Sequence, residues 1–222
     1  VRNIYDSPIR TNQINNYSMK VKSESSFTQF IMSQGVDFEN EIFKILKNKY
    51  YTVQVAESYQ ARDSNKFKQT IEYMKQGVDI IYQGVLHDYE NNIFGCPDLL
   101  VRSDRMNDIF NTHLSKDEIL NKSTKLNTPF HYYVIDIKHS TLYLSSNGIN
   151  LLNSNSIPAY KGQLFIYNKI LSNIQGYNSN KCFILGKKWI YTKNNNTYSG
   201  NNFMEKLGLA ASCIITFWIL SL

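Results

Sequence analysis

The chain has 222 residues, 42% of them hydrophobic and 14% aromatic, which is enough to bury a core and excludes full disorder. Three cysteines, Cys96, Cys182 and Cys213, are too few for a disulfide scaffold, a four-thiolate zinc site or a four-cysteine iron–sulfur cluster. The net charge of +6 favours a polyanionic partner such as nucleic acid.

The N-terminal part of the chain predicts a loose arm followed by two helices. Residues 1–24 are polar and aperiodic, so we interpret them as a flexible arm. Apolar residues at helical spacing predict a first helix over residues 35–49, followed by a short strand over residues 51–55. A second, more polar helix is predicted over residues 66–75, and Gly77 ends it.

The central part of the chain predicts a hairpin, an insertion and a third strand. Residues 78–87 and 93–101 are rich in β-branched and apolar side chains, and residues 88–92 between them have turn composition. Residues 103–129 are polar with only a weak helical pattern, so we interpret them as a surface insertion. The apolar residues that begin at His131 predict the third strand.

The C-terminal part predicts one more helix and one more strand. Helical spacing over residues 160–171 is followed by a strand-like run over residues 182–191. We therefore expect an α/β fold, with a mixed central β-sheet flanked by helices, over residues 25–192. Residues 193–222 would form a linker and an apolar segment. Its last sixteen residues, 207–222, suit a buried helix, a tail anchor or a truncated end, and fall just short of a membrane span, so a membrane partner is disfavoured.

Two acidic positions interrupt the predicted strands. Pro97 bends the chain and removes a backbone donor just before Asp98, although a Pro-Asp pair is also a common turn. Asp136 and Lys138 are two residues apart in an apolar strand, so their side chains project from the same face. An exposed ion pair would give the same pattern, but charges are rarely buried unless they are paired or bound to metal.

Each of the two longer helices carries a polar residue beside its apolar face. Glu39 lies four residues before Phe43 on the first helix, which lets its carboxylate face inward. Gln163 lies four residues before Tyr167 on the later helix, at the edge of the buried stripe. Either residue is also explained as a hydrogen-bonded polar group at the edge of the buried core.

The combination of these residues predicts a metal site. Glu39, Asp98 and Asp136 supply hard oxygen ligands of the kind that Mg²⁺ or Mn²⁺ prefers. Such a cation assists phosphodiester hydrolysis by stabilising charge on the phosphate and activating a bound water. Lys138 would orient or deprotonate that water, or stabilise the developing oxyanion. The expected reaction is therefore metal-dependent hydrolysis of nucleic acid.

The motif order resembles that of the PD-(D/E)xK nuclease superfamily, in its RecB-like and lambda-exonuclease-like branch. The matching residues, within about residues 30–192, are Gly35 with Glu39, Pro97-Asp98, Asp136-Ile137-Lys138, and Gln163 with Tyr167. The resemblance implies a restriction-endonuclease-like αβββαβ core and a nuclease that uses Mg²⁺ or Mn²⁺. Two features depart from it: the gap between Asp98 and Asp136 is long, and the iron–sulfur cysteines of some RecB-like exonucleases are missing.

The resemblance also implies roles for individual residues. Asp98 and Asp136 would bind the metal together with the backbone carbonyl of Ile137, and Lys138 would be the catalytic lysine. Glu39 would join the catalytic set and contact the metal directly or through water. In addition, Gln163 and Tyr167 would contact the DNA backbone or brace the site.

The expected partner is DNA, and RNA is not excluded because the motifs address the phosphate. The alternative function is an inactive nucleic-acid-binding module, or a subunit of a repair or replication complex with a partner such as a helicase. The Asn, Ile, Lys and Tyr content is similar to that of genes of large DNA viruses. We expect an intracellular location, in cytoplasm or nucleus, or in host cytoplasm for a viral protein.

Overall fold

The computed structural model describes residues 26–110, 114–201 and 210–214. The chain divides into two compact units, Val1–Asp37 and Phe38–Leu222, and the division falls inside the first helix. The interpretation of residues 1–24 as a flexible arm lies outside the described residues. Every candidate site residue named above from Glu39 to Tyr167 belongs to the second unit.

Five α-helices are present among the described residues, and local signals explain where they begin and end. They are α1 (Ser26–Lys49), α2 (Ser64–Gln76), α3 (Met106–Ile109), α4 (Lys116–Leu120) and α5 (Ile157–Gln175). The Asp63 side chain accepts hydrogen bonds from the N–H groups of Asn65 and Lys66, which caps α2. Gly77 ends α2 in the left-handed region at φ 74°, as the sequence predicts. Helix α1 begins at Ser26, earlier than predicted.

The strands form one mixed sheet and one separate hairpin. They are β1 (Thr52–Gln54), β2 (Ile80–Tyr82), β3 (Leu86–Asp88), β4 (Ile93–Gly95), β5 (Leu99–Arg102), β6 (Tyr132–Tyr143), β7 (Lys181–Lys193), β8 (Asn196–Asn201) and β9 (Ala210–Ile214). The sheet order is β1-β2-β5-β6-β7-β8, and β9 pairs with β7 as well. Pairing is parallel for β1 with β2 and for β6 with β7, and antiparallel elsewhere. The predicted α/β class, a mixed sheet flanked by helices, is confirmed.

The predicted hairpin over residues 78–101 exists but is divided between the two sheets. Its base, β2 with β5, belongs to the large sheet, whereas its tip, β3 with β4, forms a two-stranded ribbon. The chain leaves the large sheet at Gln83 and returns to it at Asp98. The N–H of Gln83 donates to the carbonyl of Asp98 at 2.8 Å, so these two residues close the base of the hairpin.

Each face of the sheet carries its own apolar layer. On one face, Phe38, Ile42 and Leu46 of α1 pack with strand residues that include Ile135 and Ile137. On the other face, side chains of α2 and α5 pack with strand residues; among them are Met74, Leu164, Leu171, Val134 and Ile184. The alternation of side chains along β6 explains this division, because odd-numbered residues from 133 to 137 belong to the α1 layer.

The segment between β5 and β6 contributes to the core. Met106, Ile109 and Phe110 are buried in the layer formed with α1. The interpretation of residues 103–129 as a polar surface insertion therefore needs correction for this part. The apolar residues of this segment are few and closely spaced, so they show no helical or strand periodicity. They are buried because they contact strands that are distant in the chain.

The C-terminal strands were only partly predicted. The strand predicted over residues 182–191 is the larger part of β7, but β8 was not anticipated. Within the apolar segment 207–222, the structure describes only Ala210–Ile214, which pair antiparallel with β7. The buried-helix interpretation is wrong for these five residues. In the described ranges, no helix is both long and apolar enough to cross a membrane.

Candidate active site

The long strand β6 has one edge that is only partly covered. On that edge, β5 pairs with residues Tyr132–Ile135. On the opposite edge, β7 pairs with residues from Ile135 to Tyr143. Among the described strands, none covers the β5 side of β6 between Asp136 and Leu142. The Asp-x-Lys segment therefore lies at an opening in the sheet.

Asp98 lies where this opening begins. If the register of β5 and β6 is extended by one residue, Asp98 falls opposite Asp136. Its Oδ2 accepts a hydrogen bond from the N–H of Ile137 at 2.6 Å. Because the N–H and C=O of a strand residue point toward the same neighbour, the Ile137 carbonyl faces the same opening. Two carboxylates and one carbonyl thus converge there.

Lys138 lies against one of these carboxylates. Its Nζ is 2.6 Å from Oδ2 of Asp136, whose side chain is almost fully buried. The two groups form a close ion pair, in which Lys138 also donates a hydrogen bond to the carboxylate. Burial lowers the pKa of Lys138, but the carboxylates of Asp136 and Asp98 outweigh burial and the net pKa is raised. Lys138 is therefore an ammonium in this arrangement.

The buried acids repel one another. Burial raises the pKa of Asp98 well above its usual range, and the charges of Asp136 and Glu39 raise it further. Lys138 and the hydrogen bond from Ile137 act in the opposite direction. One lysine does not compensate three carboxylates, so this cluster has a deficit of positive charge.

Glu39 approaches the cluster from α1. Its side chain is half-buried, and burial raises the pKa of its carboxyl. The charges of Lys138 and Asp136 also act on that pKa, in opposite directions. Since α1 packs on the face opposite the one from which Asp136 projects, Glu39 completes the cluster from the other side of the opening.

Gln163 and Tyr167 lie on α5 beside the same acids. The Gln163 Nε2 group donates to the Tyr167 hydroxyl at 2.9 Å. Burial raises the pKa of Tyr167, the Gln163 hydrogen bond lowers it, and the charges of Asp136 and Asp98 raise it. The ring of Tyr167 lies so close to Gly95 that a Cβ there would come within 2.6 Å of it. A glycine at this position lets Tyr167 reach the site.

Two further tyrosines adjoin the cluster, and motif reasoning missed both as site residues. The Lys138 Nζ lies 5.3 Å from the centroid of the Tyr160 ring, within cation–π range. Burial raises the pKa of Tyr82, and the charges of Glu39 and Asp98 raise it further, so its hydroxyl lies near both acids. Tyr160 belongs to the helical stripe that the sequence assigns to the core, which concealed its position beside Lys138.

The donor set fits a hard divalent cation. Within the described ranges, no three His, Cys, Asp or Glu side chains form a ready-made metal site. The Lys138 ammonium occupies the position nearest to Asp136, which is one physical reason for this. A cation at the opening would instead be held by the carboxylates of Asp98 and Asp136 and the carbonyl of Ile137, all of them oxygen donors.

No protein-family model, curated protein or solved structure matches this chain. The residues and geometry of the site are therefore the basis for assigning a function.

Proposed function

We propose that this chain is a divalent-metal-dependent nuclease that hydrolyses phosphodiester bonds in DNA. The observation that carries the proposal is the convergence of Glu39, Asp98, Asp136 and Lys138 at the uncovered edge of β6. These residues come from three distant parts of the chain, and each of them has an ionisable side chain. A structural role would favour equal numbers of acids and bases, whereas here the acids are in excess.

The site residues have complementary roles in this proposal. Asp98, Asp136 and the Ile137 carbonyl would hold the cation, and Glu39 would contact it directly or through water. When bound, Mg²⁺ or Mn²⁺ would stabilise charge on the scissile phosphate and lower the pKa of a water molecule. Lys138, as an ammonium, would donate hydrogen bonds to a phosphate oxygen or to the developing oxyanion.

The α5 pair would act on the substrate beside the metal. Gln163 donates to the Tyr167 hydroxyl, which leaves the phenolic proton free to donate to a phosphate oxygen. Gln163 and Tyr167 would thus contact the nucleic-acid backbone or keep the site in shape. The positive net charge of the chain is in keeping with a polyanionic substrate.

The order of elements also supports a restriction-endonuclease-like core. If β1, α2, the β3–β4 ribbon and the short helices α3 and α4 are set aside, α1 is followed by the antiparallel strands β2, β5 and β6, then by helix α5 and the parallel strand β7. This is the αβββαβ order that the motif resemblance implies. The candidate acids lie directly before the second of these core strands, on the third, and on the first helix.

A cleavage assay tests the proposal. Purified protein is incubated with single- and double-stranded DNA, and separately with RNA, in Mg²⁺, in Mn²⁺ and in EDTA. We expect cleavage of DNA that requires the cation, and a loss of about 10² to 10⁴-fold in Lys138→Met. Lys188→Met is the matched control, because Lys188 is exposed on the neighbouring strand, and it should cleave like the wild type.

Two results would contradict the nuclease assignment. Absence of metal-dependent cleavage of every substrate would reject it outright. Salt-sensitive DNA binding that is indifferent to divalent cations, without cleavage, would instead indicate an inactive nucleic-acid-binding module.

A further inference from the structure

Gln83 has a backbone conformation that costs free energy. Its φ is 51°, in the left-handed region, whereas every other non-glycine residue with positive φ in the described chain is an asparagine. Asparagine tolerates this region, but for a longer side chain such as that of glutamine the conformation is unfavourable. Such strain persists only where the surrounding structure imposes it, and it is concentrated at functional sites.

The strand register places Gln83 in line with the candidate metal ligands. Extending the β2–β5 pairing by one residue brings Gln83 opposite Asp98, and the N–H of Gln83 donates to the Asp98 carbonyl at 2.8 Å. Extending the β5–β6 pairing in the same way brings Asp98 opposite Asp136. The three residues therefore lie in one row across β2, β5 and β6.

The side chain of Gln83 is buried without a partner for its carbonyl. Only 8% of the residue is exposed, and Oε1 accepts no hydrogen bond from the described residues. The neighbouring backbone is satisfied, since the N–H of Val85 donates to Thr70 Oγ1 at 2.9 Å. A buried acceptor without a donor destabilises the folded state. The strained backbone and the unpartnered Oε1 of Gln83 therefore both cost stability, in contrast to its N–H, which is hydrogen-bonded to Asp98.

The missing partner must be a hydrogen-bond donor, because Oε1 is an acceptor. Phosphate oxygens also accept hydrogen bonds, so they do not qualify. Water molecules in the hydration shell of a divalent cation are strong donors, since the cation polarises their O–H bonds. Mg²⁺ usually keeps several such waters when it binds to proteins through one or two carboxylates.

We propose that Gln83 Oε1 accepts a hydrogen bond from a water molecule of the cation held by Asp98 and Asp136. This inference rests on the proposed function, and it assigns Gln83 as a positioning residue for the hydrated metal. Partners in the outer shell of a metal typically contribute 10- to 100-fold to metal affinity.

The test measures Mn²⁺ affinity without nucleic acid, by titration calorimetry or by electron paramagnetic resonance of free Mn²⁺. Gln83→Met keeps the length of the side chain and removes the acceptor. We expect it to bind Mn²⁺ about tenfold more weakly than the wild type. In EDTA its free energy of unfolding should equal or exceed that of the wild type, because an unpartnered polar group is gone. Gln69→Met, on the exposed side of α2, is the control and should change neither value.

The possible outcomes separate this inference from the nuclease proposal. If the wild type binds Mn²⁺ and Gln83→Met binds it equally well, the inference is wrong and the nuclease proposal stands. A loss of stability in EDTA that accompanies the loss of affinity would also overturn it, because Gln83 would then be structural. A wild type that binds no Mn²⁺ would reject the metal site and this inference together. Should Gln83→Met fail to fold, Gln83→Gly replaces it, since glycine suits φ 51°.

Discussion

Two clusters of polar residues lie along β6. In one the hydrogen-bonding groups are paired with each other, and in the other the negative charges outnumber the positive ones. At the start of β6, Gln175 of α5 brackets Tyr132: its Oε1 accepts from the Tyr132 N–H at 2.9 Å and its Nε2 donates to the Tyr132 carbonyl at 3.2 Å. The Tyr132 hydroxyl donates to the Val78 carbonyl at 2.6 Å. We call these residues the Gln175 cluster; its bonds join neutral donors to neutral acceptors.

Four residues further along β6, the acidic cluster of Glu39, Asp98, Asp136 and Lys138 has the opposite character. Its carboxylates outnumber its lysine, and burial together with the repulsion between the carboxylates raises the pKa of Asp98. The same strand thus carries a cluster that stabilises the fold and a cluster that costs stability in the absence of a cation. Burial by itself does not distinguish the two; the balance of charge does.

The largest expected effect concerns the Gln175 cluster. Gln175→Ala would leave both the N–H and the C=O of Tyr132 buried without partners. At 1–3 kcal/mol for each such group, we expect a loss of about 4 kcal/mol in the free energy of unfolding. Urea denaturation measures it. Lys169→Ala, on the exposed side of the same helix, should change stability by less than about 0.5 kcal/mol, and an equal loss in both variants would refute the assignment.

A pH titration of stability tests the start of β6 in a second way. His131 is fully buried, its Nδ1 lies 2.8 Å from the Asn121 carbonyl, and burial lowers its pKa to about 4. The unfolded chain takes up this proton near pH 6.5, so the neutral folded form loses stability as pH falls from 6.5 to 4.

The expected loss from His131 alone is about 3 kcal/mol. It is measured as the difference in unfolding free energy between the wild type and His131→Gln, at pH 7 and at pH 4. The rings that pack on His131, those of Tyr133 and Tyr177, have raised pKa values and stay neutral over this interval. A difference that does not change with pH would show that His131 is not the titrating group.

Removing a carboxylate from the acidic cluster should stabilise the metal-free protein, in contrast to the destabilisation expected for Gln175→Ala. The pKa of Asp98 is raised by folding, so its ionised form destabilises the metal-free protein at neutral pH. In EDTA at pH 8, Asp98→Asn should therefore raise the free energy of unfolding by about 1–3 kcal/mol. The gain should shrink as pH falls, because the wild-type carboxyl then takes up a proton.

Asp117→Asn provides the matched control for this measurement, since Asp117 is exposed on α4. The Asp98→Asn variant should also lose metal-dependent cleavage. A destabilised Asp98→Asn protein would mean that Asp98 serves as a structural acceptor for the Ile137 N–H and not as a metal-binding carboxylate.

The smallest expected effect concerns the approach of Tyr167. A Cβ at Gly95 would collide with the Tyr167 ring at 2.6 Å, so Gly95→Ala should displace the ring and weaken its hydrogen bond with Gln163. We expect cleavage to fall about tenfold, equivalent to about 1.4 kcal/mol. Gly162→Ala has open space on α5 and should instead stabilise the protein by about 0.5–1 kcal/mol. Unchanged cleavage in Gly95→Ala would exclude a role for the position of Tyr167.

Local signals in the sequence account for much of the fold and for the list of candidate residues. The Asp63 cap and Gly77 mark the ends of α2, and period-two alternation puts Asp136 and Lys138 on one face of a strand. Such features depend on residues within a few positions of one another, and the sequence displays them directly. The proposed chemistry of the site, an acid-rich cluster with a lysine, also follows from these residue types.

Tertiary pairing decided what the local signals could not. Only the register of β2, β5 and β6 aligns Gln83, Asp98 and Asp136, and the β6 edge beyond Ile135 is uncovered because β5 starts only at Leu99. Likewise, Phe110 joins the core and Tyr160 lies over Lys138 through contacts between residues far apart in the chain. Register and burial depend on which distant strands and helices pack together. This packing is determined by the core as a whole, and not by any short segment of the sequence.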